Sequence, residues 1–428
     1  MNPTVLVATT SRWYPTARLA MALASAGCKV EAVCPKLHPV RKTRSVGRTH
    51  VYYGLAPLSS FARAIAIAQP DFIVSGDDLA TRHLHRLYAH ERRNGKTDSP
   101  ICDLIERSLG SPESFAVVDA RAAFMDLAHQ EGLRAPATEV IRNTDDLSAW
   151  VARRGLPVVL KANGTSGGDG VRIAYTQTEA ERFFRELHAP PLLARAAKRA
   201  VVDQDKTLVW PSILRRRPVV NAQAFVAGRE ATSTIICREG AVLASLHLEV
   251  VNKASSKGHA TVVRVIENAE MSAAAEKMAR RLNLSGLYGF DFMLEAETAN
   301  AYLIEINPRS TQVGHLSLGP GRDIPAALYA ALSGKAVEAA PKITEKDTIA
   351  LFPQEWIRDP ESPFLRSAYH DIPLEEPELI RDCVSNYQKQ SAWYSRSDRN
   401  PVSSAPRSSQ PTAAPAKHHA VGLDWGRK

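Results

Sequence analysis

Three side chains with hard oxygen donors occur close together in the segment 287–315, on two stretches that read as strands. Asp291 lies on the first stretch. Glu305 and Asn307 share one face of the second, because side chains alternate along a strand. If the hairpin turn is centred on Thr298, Asp291 and Glu305 lie opposite each other, about 5 Å apart. Carboxylates that close repel each other unless a cation lies between them or one is protonated. The three oxygen donors therefore predict a site for a hard cation such as Mg²⁺.

An arginine follows the second stretch at once. The planar guanidinium of Arg309 can bind a phosphate or a carboxylate through two parallel hydrogen bonds. The alternative for the whole segment is an ordinary surface hairpin with a solvated acidic face. Phe, Leu and Ile flank the acidic residues, which favours a partly buried site over a wet edge. On the residues alone we favour the metal site, with the surface hairpin as the open alternative.

A second candidate site combines a lysine with a glycine-rich segment. Lys161 ends the apolar stretch 156–161, and the next residues, 162–170, contain four glycines. Glycine lets the backbone adopt positive φ and approach a phosphate closely. The segment joins two predicted strands and lacks Gly-Lys-Ser/Thr, so it is not a Walker P-loop. It is either a phosphate-binding loop or a flexible hairpin, and the preceding lysine favours the former.

The beginning of the chain alternates strand and helix, with strands at 4–9 and 29–34 around a helix at 13–26. This order predicts a parallel sheet with helices on its faces. Ligands of such sheets bind beyond the carboxyl ends of the strands. A later predicted strand, at 71–75, is followed by two aspartates. The polar residues at the ends of this strand and of the first strand are candidates for one wall of a substrate site, although simple loop polarity explains each of them equally well: Thr9, Thr10, Ser11, Asp77 and Asp78. No G-x-G-x-x-G follows the first strand, so we predict no dinucleotide site.

Composition restricts the class of protein and its partners. The chain has 428 residues, enough for two or three domains, with 44% hydrophobic and 23% charged residues, as in soluble globular proteins. No apolar run of about 18 residues and no secretion signal occur, and the five cysteines are scattered, which predicts a cytoplasmic protein without a membrane partner or zinc. The net charge of +9 suits a cleft for a polyanion, and no nucleic-acid motif accompanies it, so we predict no nucleic-acid partner.

The segment around the acidic residues resembles the metal-binding core of the ATP-grasp family. The family pattern is an acid in a G-F-D/E-F strand followed by E-I-N-P-R, here Gly289-Phe-Asp-Phe292 and Glu305-Ile-Asn-Pro-Arg309. The resemblance implies ATP with Mg²⁺ or Mn²⁺ as cofactors. It assigns the metal to Asp291, Glu305 and Asn307, and it directs Arg309 toward the acyl-phosphate region as a catalytic residue.

The resemblance also implies nucleotide contacts. Lys161 would contact the α-phosphate or the adenine, and the glycine-rich loop would close over the phosphates. The loop donors are Thr165, Ser166, Gly167 and Gly168. The segment Gln223-Ala-Phe-Val-Ala-Gly-Arg-Glu230 matches the family's adenine and ribose segment, which assigns Gln223, Phe225, Val226 and Glu230. Arg264 is the second predicted catalytic residue, because basic residues on its strand commonly face the transferred phosphate in the family. Its alternation with Val263 and Val265 places it on the opposite face from these two valines. Two departures from the pattern are Ala120, where the family has Lys, and Gln223, where it has Glu.

From these features we predict an α/β (α+β) protein with the ATP-grasp fold and an N-terminal Rossmann-like domain. The expected divisions are a Rossmann-like domain at 1–115, an ATP-grasp domain at 116–340 with its lid at about 135–190, a small C-terminal extension at 341–394 and a disordered tail at 395–428.

The predicted function is an ATP- and Mg²⁺-dependent ligase that activates a carboxylate as an acyl phosphate for attack by an amine. The expected substrates are a small-molecule carboxylic acid and an amine, whose identities the sequence does not reveal. The oligomeric state is open, with a homodimer as one option because many members of the family are dimers. Two alternatives remain, namely an ATP-binding module without ligase activity and a phosphotransferase that acts on a hydroxyl.

Overall fold

The computed structural model describes residues 2–93, 99–164, 170–191, 193, 212–215, 217–255, 258–336 and 341–397, with side chains through Tyr387. Residues 1–384 form one compact unit, and 385–428 form a second, whose described residues are helical through Ser397. Within the described ranges, no helix combines the length and the apolar character needed to cross a membrane.

The N-terminal layer is a four-stranded parallel sheet in the order β3-β2-β1-β4. Val5 and Val7 face one set of helices and Leu6 and Ala8 face another, so both sides of the sheet are covered. The elements are β1 Thr4–Ala8, α1 Tyr14–Ser25, β2 Lys29–Cys34, β3 Arg48–Val51, α2 Pro57–Ala68, β4 Phe72–Ser75, α3 Asp78–Arg93 and α4 Pro100–Leu109, with a 3₁₀ turn at Pro39–Lys42. The predicted Rossmann-like sheet is confirmed.

The second layer is a four-stranded antiparallel sheet in the order β5-β8-β6-β7. Trp150 and Phe184, from two helices, bury its inner face together with aliphatic residues of the strands. Its elements, with the two helices that precede it, are α5 Phe115–Asp119, α6 Arg121–Gln130, β5 Thr138–Ile141, α7 Thr144–Arg154, β6 Val158–Ala162, β7 Val171–Ala174, α8 Gln177–His188 and β8 Val220–Ala224. Lys161 therefore lies on a buried central strand, one residue before its end.

The third layer is a seven-stranded sheet in the order β13-β12-β9-β10-β11-β14-β15. One face packs on helices α6 and α9 through Phe290, Phe292 and Met278. The elements are β9 Gly228–Arg238, β10 Ala241–Lys253, β11 Ala260–Val265, α9 Ala269–Arg281, β12 Gly286–Glu295, β13 Ala301–Asn307, α10 Ile324–Ser333, β14 Thr348–Ala350, α11 Gln354–Arg358, α12 Phe364–Ser367, β15 Tyr369–His370 and α13 Pro377–Ser397.

The mixed α/β class predicted from the sequence is confirmed. The strands β14 and β15 belong to the segment predicted as a C-terminal extension, and they continue the large sheet beyond β11. The predicted domain boundaries stay predictions.

Candidate functional site

The acidic pair is built by a hairpin that contains a β-bulge. Asp291 on β12 pairs with Glu305 on β13, as predicted, but the turn is not centred on Thr298. The pairs nearest the turn, such as Leu294 with Ala301, centre it half a residue earlier, and the register shifts between Asp291 and Phe292. The extra residue on β13 is Ile304. Without it Glu305 would lie opposite a phenylalanine and face the helices, because a one-residue slip exchanges the faces of a strand.

The bulge places Asn307 and Glu305 on the face that carries Asp291. The Asn307 amide donates a hydrogen bond to Asp291 Oδ2 at 2.9 Å. Burial, followed by the negative charge of Glu305, raises the pKa of Asp291 above its usual value, despite the hydrogen bond from Asn307. A carboxylate whose charge is disfavoured in this way gains from a nearby cation.

Two cations already face the other carboxylate. Arg121 donates a hydrogen bond to Glu305 Oε1, and Lys161 Nζ lies 3.8 Å from Glu305 Oε2. Burial alone would raise the pKa of Glu305, but Arg121 and Lys161 outweigh it and lower that pKa. Burial lowers the pKa of Lys161 to about 8, although Glu305 acts in the opposite direction. Arg121 directly follows Ala120, the position at which the family pattern has lysine.

The donor set fits a hard divalent cation. It consists of two carboxylates and one amide oxygen on the same face of one hairpin, the type of ligand that Mg²⁺ and Mn²⁺ bind. Among the described residues, no group of three or more His, Cys, Asp or Glu side chains could hold a metal ion. The assignment therefore depends on the amide of Asn307 as the third donor.

Arg309 is brought to the same site from the end of β13. Its Nη2 donates to Asn307 Oδ1 at 3.3 Å, and its Nε lies 3.3 Å from Asp78 Oδ1 at the start of α3. The guanidinium carbon lies 5.1 Å from the centre of the Trp13 ring, a cation–π distance. The backbone N–H of Ser310 donates to the carbonyl of Ser75 at 2.9 Å, so the end of β4 anchors this segment.

Arg264, the second predicted catalytic residue, is not brought to the carboxylates. It pairs in register with Glu249, which pairs with Ala231, which pairs with Phe292. Residues paired in this way share a face, so Arg264 belongs to the row of Phe292, on the side opposite Asp291. Its predicted alternation with the neighbouring valines was right. Arg264 therefore lies on the face of the sheet that does not carry Asp291 and Glu305.

The predicted nucleotide residues lie at the junction of the second and third layers. Gln223 is buried, and its amide donates to Thr138 Oγ1 at 3.0 Å and to the carbonyl of Ile304 at 3.3 Å. Phe225 and Val226 are half-buried in the connection between β8 and β9. Glu230 is exposed and accepts a hydrogen bond from Lys253 Nζ at 2.6 Å. The loop residues Thr165, Ser166, Gly167 and Gly168 lie outside the described residues.

The polar residues that follow β1 form hydrogen bonds with Asp77, which follows β4. The carboxylate of Asp77 accepts hydrogen bonds from the side chain of Thr9, from both the backbone and the side chain of Thr10, and from the backbone of Ser11. It also caps α3 through the backbone N–H of Ala80. These contacts favour a structural role for the group. Trp13, which no chemical motif marks, was not among the predicted site residues.

Comparison with known proteins finds a family model that matches part of the chain. Residues 120–317 match the family model described as the carbamoyl-phosphate synthase L chain, ATP binding domain. The chain is similar to the carbamoyl phosphate synthase large chain of Xanthomonas campestris pv. campestris, with 24% identity over 241 residues, which is 53% of this chain and 20% of the relative. A second such large chain, from Synechocystis sp., is 20% identical over 56% of this chain and 21% of the relative. The chain thus spans about a fifth of the length of these curated relatives.

Solved structures share the fold. The biotin carboxylase domain of 2-oxoglutarate carboxylase from Hydrogenobacter thermophilus superposes with a TM-score of 0.54 at 15% identity, over 79% of this chain and 71% of that one. N5-carboxyaminoimidazole synthetase from Staphylococcus aureus gives a TM-score of 0.53 at 14% identity, over 78% of each chain. The family match and the shared fold agree with the hairpin motif that carries Asp291 and Glu305. The chain therefore has the ATP-grasp fold, and its residues 120–317 are similar to the ATP-binding domain of the carbamoyl-phosphate synthase large chain.

Proposed function

We propose that the chain is an ATP- and Mg²⁺-dependent ligase that joins a small-molecule carboxylic acid to an amine and forms ADP. The observation that carries the proposal is the in-register pair of Asp291 and Glu305 with Asn307 beside it, surrounded by Lys161 and Arg309. The curated relatives are carbamoyl phosphate synthase large chains, which supports ligase chemistry. A complex of one structural neighbour contains MgADP and bicarbonate, which supports the cofactors and an acid substrate of that kind.

The reaction consists of two balanced transfers. A carboxylate oxygen of the acid attacks the terminal phosphorus of ATP, and ADP leaves with the electron pair of the broken bond. The amine nitrogen then attacks the acyl carbon, inorganic phosphate leaves, and the amine loses a proton. A divalent cation held by Asp291, Glu305 and Asn307 would neutralise charge on the phosphates.

The chain's own residues position the reactants and offset their charge. Lys161, with a pKa of about 8, is charged at neutral pH and can bind a phosphate oxygen. Arg309 is held between Asp78 and Trp13, so its remaining N–H groups have a fixed direction for an acyl phosphate or a carboxylate. Gln223, Phe225, Val226 and Glu230 form the edge proposed for adenine and ribose.

We also propose a cellular compartment and an oligomeric state for the chain. All five cysteine thiols are free and buried, which supports a reducing, cytoplasmic environment. A homodimer is compatible with the neighbour described as a domain dimer. We propose small-molecule substrates as its partners, and neither a nucleic acid nor a membrane.

The test is nucleotide turnover with Mg²⁺, ATP and pooled amino acids and small carboxylic acids. Glu305→Ala is compared with Glu297→Ala, an exposed acid in the turn of the same hairpin. ADP and phosphate release that depends on the pool, and that is lost only in Glu305→Ala, supports the ligase. Release of AMP and pyrophosphate contradicts the acyl-phosphate route. Transfer of phosphate to a hydroxyl without a new amide favours the phosphotransferase, and binding without turnover favours the ATP-binding module.

A further inference from the structure

A small cavity lies beside Glu305 and Asn307, between the second layer and helix α3 of the N-terminal layer. Its volume is about 70 Å³, enough for a few water molecules or one small oxyanion. The charged residues in its lining come from three parts of the chain: Asp78 and Arg82 from α3, Asp119 and Arg121 from α5 and α6, and Glu305 from β13. Arg82 has no role in the function proposed above.

Each acid in this lining already faces a cationic or histidine side chain. Asp78 faces Arg309, with 3.3 Å between Oδ1 and Nε. Asp119 Oδ2 lies 3.2 Å from His85 Nδ1, and Glu305 accepts a hydrogen bond from Arg121. In the part of the chain that the structure describes, no carboxylate pairs with the guanidinium of Arg82. Among the described residues that line the cavity, Arg82 is thus the arginine without a carboxylate partner.

The guanidinium group of Arg82 lies next to Gly164. Its Nη1 lies 3.5 Å from the point that a Cβ atom on Gly164 would occupy, and Gly164 also lines the cavity. The guanidinium therefore reaches across from α3 to the residues that follow β6. The side chain is half-buried, which strengthens its attraction for an anion compared with a fully solvated arginine.

We propose that Arg82 binds a small oxyanion in this cavity, beside the carboxylate that is predicted to hold the metal. The identification of the anion depends on the proposed function: it is the terminal phosphate of ATP, or a free oxyanion such as the acid substrate or the released phosphate. In both cases the N-terminal layer supplies an arginine directly to the site of phosphoryl transfer. The planar fork of Arg82 matches either anion through two hydrogen bonds.

The experiment measures binding of three probes to the full chain by calorimetry: MgADP, the magnesium complex of β,γ-imido-ATP, and inorganic phosphate. The variants are Arg82→Ala, Arg82→Lys and the control Arg86→Ala. Arg86 lies one turn further along α3 and is exposed. Thermal unfolding of each variant shows whether it is folded, and Arg82→Lys keeps the charge if Arg82→Ala is unstable.

We expect Arg82→Ala to weaken the binding of the imido analogue or of phosphate by about ten- to a hundredfold, while MgADP changes by less than about twofold. Arg82→Lys should fall between, and Arg86→Ala should match the wild type. A loss limited to the imido analogue assigns the terminal phosphate, and a loss of phosphate binding assigns a free oxyanion.

The inference is overturned if folded Arg82→Ala binds all three probes like Arg86→Ala, or if it loses MgADP as strongly as the other probes. A wild-type chain that binds phosphate but no magnesium nucleotide contradicts the proposed function alone, and the phosphate arm then still decides the role of Arg82. A wild-type chain that binds none of the probes contradicts both.

Discussion

The side-chain amide of Gln223 donates a hydrogen bond to the carbonyl of Ile304, the residue that forms the bulge beneath the acidic pair. The bulge decides whether Glu305 shares a face with Asp291 or points at the helices. Gln223, from another sheet, therefore stabilises the register of the predicted metal site. In this position Gln223 serves the hairpin in addition to any contact with the nucleotide.

Replacement of Gln223 by leucine removes both hydrogen bonds of its amide and leaves the carbonyl of Ile304 without this donor. We expect the free energy of unfolding to fall by about 1–3 kcal/mol and the affinity for Mn²⁺ to fall at least severalfold. Urea denaturation and calorimetric titration of Mn²⁺ measure the two effects. Thr138→Val removes the other partner of Gln223 and should leave the affinity for Mn²⁺ unchanged. Equal Mn²⁺ affinity in wild type and Gln223→Leu contradicts the role of the bulge.

Replacement of Asp291 by asparagine should stabilise the fold while it weakens the site. The raised pKa of Asp291 means that its charge is disfavoured in the folded chain at neutral pH. The substituted amide carries no charge, so the free energy of unfolding at pH 7 should rise by about 1 kcal/mol, whereas Mn²⁺ binding should be lost. Asp126→Asn, at an exposed position of α6, serves as the control and should change neither quantity. A less stable Asp291→Asn, or one that retains Mn²⁺, contradicts this assignment.

Arg121 and a divalent cation compete for Glu305. Because Arg121 hydrogen-bonds that carboxylate, Arg121→Ala should raise the affinity for Mn²⁺, measured without nucleotide, by about tenfold. Arg134→Ala breaks a comparable ion pair with Glu270 at an exposed position and should have no effect. An unchanged or lower affinity in Arg121→Ala would show that the guanidinium does not oppose the metal.

His247 should make the protein sensitive to acid. Its ring lies between Ser233 and Ser272, and burial lowers its pKa from 6.5 to about 4. Between these values the unfolded chain binds a proton that the folded chain does not. The free energy of unfolding therefore rises with pH in this window, by about 1.4 kcal/mol per pH unit from this residue. His247→Asn should reduce that slope between pH 4 and 6.5 in urea denaturation, and an unchanged slope contradicts the prediction.

The acidic hairpin could be predicted because its information is local. Strand alternation and a turn centred on Thr298 predicted the pairing of Asp291 with Glu305, and this pairing occurs because the bulge at Ile304 compensates for a turn that is centred half a residue earlier. The turn was placed half a residue too late because a regular hairpin was assumed.

Other parts of the site depend on contacts that a linear pattern does not contain. Alternation placed Arg264 opposite its neighbouring valines, but the choice of face is set by pairing across β9, β10, β11 and β12. Arg82 and Trp13 belong to the N-terminal layer, and their positions depend on how that layer packs beside β13. For the same reason the sequence could not show that Asp77 is used within the loop that follows β1.

The residues of the site also differ in when they can meet during folding. Asp291 and Asn307 are 16 residues apart on one hairpin, whereas Arg121 and Glu305 are 184 residues apart. Short loops close before long ones, so the hairpin can form while its carboxylates still lack their arginine. During that interval the repulsion between the two acids opposes the hairpin. A divalent cation present in the refolding buffer would relieve it and increase the rate of folding, so the ion that the native site is built to hold would also assist its assembly.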